Sequence, residues 1–105
     1  GVKDGESLLE AAHRELREEV GYDAEELQHI NTYFPSKSVM QETAHLYIGR
    51  GLSKVHAIPD ETEFMEVADF PFQQVLEMVL ESEIRDSMTV IAVLLADRMR
   101  RVKNG

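Results

Sequence analysis

The sequence has no cysteine among its 105 residues. Disulfides, thiolate zinc sites and a thiol nucleophile are therefore excluded together. Long apolar runs are also lacking. The longest, Val90–Ala96, is far too short to span a bilayer, and no segment resembles a signal peptide. The cytoplasm is the expected compartment. Positive charge is scarce: 11 Lys and Arg face 20 Asp and Glu, for a formal net charge of −9. Phosphate backbones and anionic membranes are held mainly by Lys and Arg, so neither nucleic acid nor membrane is an expected partner. An acidic protein that handles phosphates needs a cation between them, which points to a metal. Repeats, low-complexity tracts and internal linkers are absent. There is no initiator Met, and Gly1-Val2-Lys3-Asp4-Gly5 reads as a turn-rich loop with no element before it. The expectation is one small domain that lacks an N-terminal portion; a processed small protein is the alternative.

A hydrophobic fraction of 43% argues for a globular chain rather than a disordered one. Residues 7–20 read as a helix, with Ser7 and Glu10 spaced as a capping box and Gly21 as its C′ residue. Leu9, Ala12, Leu16 and Val20 form its apolar stripe. Residues 28–34 are predicted as a strand ending at Pro35-Ser36. Glu42–Arg50 is predicted as a second strand, closed by Gly49 and Gly51. Ser53–Thr62 reads as a polar loop and Phe64–Ala68 as a third strand. Pro71 opens a second helix carrying Val75, Leu76, Val79 and Leu80, which ends around Ser82. Asp86 or Ser87 caps a third, running to about Val102, with Val90, Ile91, Leu94, Leu95 and Met99 on its buried side.

The first helix carries Arg14-Glu15-Leu16-Arg17-Glu18-Glu19. At about 100° per residue, Glu15, Glu18 and Glu19 gather along one edge of the apolar stripe. Glu15 and Glu19 are i,i+4 neighbours, and like charges at that spacing cost a few tenths of a kcal/mol in an isolated helix. A bound divalent cation turns that cost into a gain, and Mg²⁺ prefers such hard oxygen ligands. By spacing alone, a Glu-rich helix is ordinarily a solvated face.

The wider pattern is more specific. From Glu6 the chain runs through seven residues to Arg14-Glu15-Leu16-Arg17-Glu18-Glu19-Val20-Gly21-Tyr22. With Gly5, this stretch of residues 5–22 resembles the Nudix box, in which a Glu is followed by Arg-Glu-apolar-x-Glu-Glu-x-Gly-apolar. Two departures stand out. The family's first glycine falls one position before this chain begins, and the closing aliphatic residue is Tyr22. Pro35, the segment Glu42–Ile48, Asp60–Phe64 and Glu83–Asp86 resemble the ADP-ribose pyrophosphatase branch of the family, more loosely.

The resemblance implies an α/β fold of the Nudix type: an α/β/α sandwich with a mixed sheet, here without its N-terminal strands. It implies Mg²⁺, with Mn²⁺ as a substitute, held by Glu15 and Glu19 with Glu18 assisting. Arg14 would orient these carboxylates, and Glu6 would be a lesser ligand or the partner of Arg14. Glu61, on a loop far from the box, best matches the residue that activates the attacking water, with Glu63 behind it; metal ions polarise the pyrophosphate and a carboxylate aligns the water. The implied reaction cleaves a nucleoside diphosphate linked to another moiety, with ADP-ribose giving AMP and ribose 5-phosphate as the first expectation. The alternatives are another Nudix substrate (NADH, a dinucleoside polyphosphate or a sugar nucleotide), a nucleotide-binding module that does not cleave, or an inactive piece of an enzyme.

His13 lies beside the apolar stripe and reads as packed or exposed rather than as a ligand. His29, His45 and His56 are scattered without zinc spacing. Tyr33, Phe34 and Tyr47 read first as core or interface residues and second as stacking partners for adenine. The wide apolar faces after Pro71, from Val75 to Leu80 and Val90 to Leu95, predict a homodimer.

Overall fold

In a computed structural model of the chain, residues 2–35, 42–55 and 67–104 are described. Helix α1 spans Leu8–Val20, strand β1 Tyr22–Tyr33, strand β2 Ala44–Lys54, helix α2 Phe72–Leu80 and helix α3 Ser87–Asn104. β1 and β2 pair in an antiparallel two-stranded sheet. The chain forms two compact units. One contains Gly1–Gln28 with Gly49–Ala68, the other His29–Ile48 with Asp69–Gly105.

The first unit holds α1 and the adjoining strand halves. α1 starts where predicted: the Ser7 hydroxyl accepts a hydrogen bond from the Glu10 backbone N–H at 3.0 Å, satisfying one of the helix's orphan donors. It stops at Gly21, whose left-handed φ of 77° lets its N–H donate to the Arg17 carbonyl at 3.1 Å. The buried residue of α1 is Ala11, not Leu9, which is 47% exposed. Ala11 lies about 200° around the helix from Leu9, on the side that carries Glu15 and Glu18. Hydrophobicity marks which side chains can be buried; the fold decides which are.

β1 begins six residues before the predicted start, directly after Gly21, and takes in the polar run Asp23-Ala24-Glu25-Glu26. Propensity hides such a strand, because Asp and Glu are poor strand formers; pairing with β2 forms it. β2 in turn runs through both glycines that were predicted to close it, out to Lys54. These glycines serve close approach. A Cβ on Gly49 would sit 3.2 Å from a Leu27 methyl, and one on Gly51 2.9 Å from Glu25 Cβ. Gly51 also has φ +68°, and opposite it Glu25 and Glu26 are exposed one after the other. That break in alternation is what a bulge produces.

In the second unit, Ala44 and Leu46 on β2 and Leu76 and Val79 on α2 are buried, and α2 packs on α3. Pro71 precedes α2, which lacks a side-chain cap. Asp86 caps α3, its carboxylate accepting from the Thr89 N–H at 2.9 Å. Arg100 lies 4.2 Å above the Phe72 ring, a cation–π contact. The predicted buried side of α3 is only half-covered, and Leu94 is exposed, as is Leu80 on α2. Of the predicted third strand, residues 64–66 lie outside the described residues, and Val67 and Ala68 belong to no regular element. No described helix is long and apolar enough to cross a membrane.

Candidate active site on the first helix

The site residues of α1 are set by its phase. Residues four apart lie one above the other, so Arg14 and Glu18 share a row, as do Glu15 and Glu19. Ser7 and Gly21 pin the two ends of the helix, and Glu6 sits just before the cap.

Arg14 organises the group. Its Nε donates to Glu6 Oε2 at 2.9 Å and its Nη2 to Glu6 Oε1 at 3.0 Å, a bidentate fork that suits a planar guanidinium. Its Nη1 donates to Glu18 Oε2 at 3.1 Å, and Nη2 stands 3.9 Å from Glu15 Oε1. Glu6 also accepts the Lys3 backbone N–H at 3.0 Å. The Arg14 and Glu6 side chains are 16% and 15% exposed, against 37% for Glu15 and 52% for Glu18. The half-buried part of the cluster is thus the Arg14–Glu6 fork, and the carboxylates around it are more exposed. The hydrogen bonds from Arg14, followed by that from Lys3, hold the Glu6 carboxyl at about 2, below its ordinary 4.5. The same pair raises Arg14 above its ordinary value. Of the two roles read for Glu6, the structure displays that of Arg14's partner.

A second knot, not foreseen from the sequence, ties the helix to the strand that follows. His13 Nδ1 lies 2.8 Å from Asp23 Oδ1, which also accepts the Ala24 N–H at 2.8 Å. Arg17 donates to Asp23 Oδ2 at 3.3 Å. A carboxylate only accepts, so the His13 proton sits on Nδ1. His13, and then the Ala24 N–H, hold Asp23 below the usual carboxylate range. His13 therefore has a structural partner and is not merely packed. Its i,i+4 relation to Arg17 was visible in the sequence; that Asp23 would fold back onto both was not.

Glu15 and Glu19 supply hard carboxylate oxygens one helical turn apart. Among the described residues, no group of three or more His, Asp or Glu side chains is placed to hold a metal ion by itself. Mg²⁺ does not need one, since it is usually held by one or two carboxylates with waters and substrate phosphates. The donor set fits that ion. Glu61, Glu63 and His56 lie outside the described residues. Of the aromatic candidates, Tyr33 places its hydroxyl 3.3 Å from Ser87 Oγ, Tyr47 packs edge-on against His29, and Phe34 is 75% exposed.

The helix with its ordered carboxylates, closed by Gly21 and followed at once by a strand, defines a class: the family model for the NUDIX domain matches residues 1–91, and the chain belongs to the Nudix family. Within it, the chain is 37% identical over 94 residues to a methanol dehydrogenase activator of Bacillus methanolicus, covering 88% of this chain and 51% of that protein. It is 32% identical to an ADP-ribose pyrophosphatase of Bacillus subtilis, covering 88% of this chain and 51% of that protein. It is 33% identical to a GDP-mannose pyrophosphatase of Salmonella typhimurium, covering 87% of this chain and 49% of that protein. The chain thus spans about half the length of these relatives. A crystal structure of an ADP compounds hydrolase superposes with a TM-score of 0.84 at 24% identity, over 97% of this chain and 55% of that one. The fold is that of a Nudix domain, as the box implied.

Proposed function

We propose that the protein is a Mg²⁺-dependent Nudix hydrolase that cleaves the pyrophosphate of a nucleoside diphosphate derivative, with ADP-ribose yielding AMP and ribose 5-phosphate. The observation that carries this reading is the Arg14 fork. By engaging Glu6 on two nitrogens and Glu18 on a third, Arg14 fixes the carboxylate row in which Glu15 and Glu19 would hold the metal. An ion held there would supply charge to polarise the pyrophosphate and to lower the pKa of water. Glu61, with Glu63 behind it, aligns the attacking water and takes its proton. Glu18, held by Arg14, assists as a lesser ligand. Mn²⁺ substitutes for Mg²⁺, the protein works as a homodimer, and its compartment is the cytoplasm.

The relatives named for ADP-ribose and GDP-mannose support a nucleoside diphosphate joined to a sugar as the substrate class. The full encoded protein should be incubated with ADP-ribose, GDP-mannose, NADH and a dinucleoside polyphosphate, with and without Mg²⁺. AMP release fastest from ADP-ribose, and only with the metal, is the expected result. Preference for another of these substrates replaces ADP-ribose but keeps the reaction. A second reading, a Nudix protein that regulates another enzyme, is favoured by the relative named as an activator; nucleotide binding without turnover of any substrate would establish it.

A further inference from the structure

On the second unit, away from the box helix in sequence, two imidazoles converge on one oxygen. His29 Nε2 lies 2.7 Å from Thr32 Oγ1, and His45 Nδ1 lies 3.0 Å from the same atom. The ring centroids are 6.1 Å apart. Regular alternation would put Thr32 on the opposite face of β1 from His29. The alternation slips instead at Ile30 and Asn31, both half-buried, so His29 and Thr32 emerge on one exposed side. Tyr47 meets the His29 ring edge-on, with centroids 5.3 Å apart and an interplanar angle of 70°.

We propose that His29 Nε2 and His45 Nδ1 form a binding site for a borderline divalent transition ion, Zn²⁺ as the type case, distinct from the carboxylate row of α1. A single hydroxyl proton cannot serve two imidazole lone pairs. In the metal-free state at least one ring nitrogen must therefore donate its N–H to Thr32 Oγ1. An ion takes both lone pairs at once. Both nitrogens lie within 3.0 Å of one oxygen, so the two are gathered at one point where an ion with Zn–N bonds of about 2.0–2.1 Å could draw them in. Water completes the coordination. Imidazole selects Zn²⁺, Ni²⁺ and Cu²⁺ over Mg²⁺, which prefers oxygen. The chain's charge of −9 draws cations to its surface. Because His29 is on β1 and His45 on β2, the ion staples the two strands.

The test is a Zn²⁺ titration of the native protein in excess Mg²⁺, which keeps the box carboxylates occupied, read by side-chain nitrogen NMR of the histidines. The expected result is that His29 Nε2 and His45 Nδ1 shift together at one ion per chain and at micromolar Zn²⁺, while His13 does not. Replacing His45 with Asn removes the intramolecular second ligand and should weaken the Zn²⁺ response of His29 by roughly a hundredfold. Thr32→Val keeps both imidazoles and should retain binding. The proposal is overturned if neither ring responds up to millimolar Zn²⁺, if only one does, or if His29 responds equally with His45 replaced. Loss of binding in Thr32→Val overturns it too, by assigning the ion to the hydroxyl. Should His45→Asn fail to fold, the identity of the nitrogens that shift in the native protein decides.

Discussion

Gly21 ends the box helix with φ 77° and ψ 23°, and nothing lies within 4 Å of where a β-carbon would be. Gly21→Ala is therefore a test of backbone strain without a clash. A β-carbon in the left-handed region costs about 1–2 kcal/mol. The loss of glycine's freedom in the unfolded chain returns about 0.4–1 kcal/mol, so a net destabilisation of about 1 kcal/mol is expected. For a domain of this size that lowers Tm by roughly 4–8 °C. Gly21→Asn should be nearly neutral, because Asn tolerates this conformation. Gly51 supplies the contrast: φ is +68°, and a β-carbon would lie 2.9 Å from Glu25 Cβ and 2.8 Å from Glu25 Oε2. The first of these atoms cannot swing away, so Gly51→Ala adds an overpacking cost of about 1–3 kcal/mol to a similar strain. Differential scanning calorimetry and urea unfolding of the three variants give the order. A Gly21→Ala protein as stable as the native one would rule out strain at Gly21, and one that suffers as much as Gly51→Ala would rule out a separate packing cost at Gly51.

The Glu6 carboxyl, at about 2 against an ordinary 4.5, contributes stability that is fully present above about pH 4.5 and is lost as the pH falls from there through about 2; urea midpoints across that window should drop less steeply in Glu6→Gln than in the native protein. Glu61→Gln should lower kcat far more than it raises KM, as for an interaction made mainly in the transition state; a crippled Glu63→Gln beside a near-normal Glu61→Gln exchanges the two roles. Sedimentation of the full encoded protein at tens of micromolar should show a dimer, and a monomer at that concentration removes the homodimer from the account.

What was legible in the sequence, and what was not, follows from where each signal is stored. α1 was readable to the residue because its ends are local chemistry: a Ser7 hydroxyl reaching the Glu10 N–H and a glycine in the left-handed region. α2 and α3 were readable from Pro71 and Asp86 for the same reason. β1 and β2 were found but mis-bounded, since their extents depend on pairing between distant segments. Glu25 and Gly51 become strand residues only by facing each other. The carboxylate row was visible as a motif, whereas the division of labour within it was not. That Arg14 forks onto Glu6 rather than onto Glu15 depends on how Lys3–Glu6 turns back toward the helix. The Asp23 knot and the His29–Thr32–His45 cluster were missed because they join residues across an element boundary, a slipped alternation and a strand pair, none of which a helical or period-2 pattern encodes.

In the proposed reaction, Glu15 and Glu19 hold the metal on which hydrolysis depends. The direct measurement is the Mg²⁺ dependence of ADP-ribose hydrolysis in Glu15→Gln and Glu19→Gln forms of the full encoded protein, alongside their circular dichroism and unfolding midpoints. Each change removes one hard oxygen ligand from an exposed helix turn and leaves Ser7, Gly21 and the Arg14–Glu6 fork in place. Turnover is expected to fall by orders of magnitude in both variants while both remain folded, with native-like circular dichroism and cooperative unfolding. A folded Glu19→Gln variant that hydrolyses ADP-ribose at the native rate, with unaltered dependence on Mg²⁺, would contradict that role.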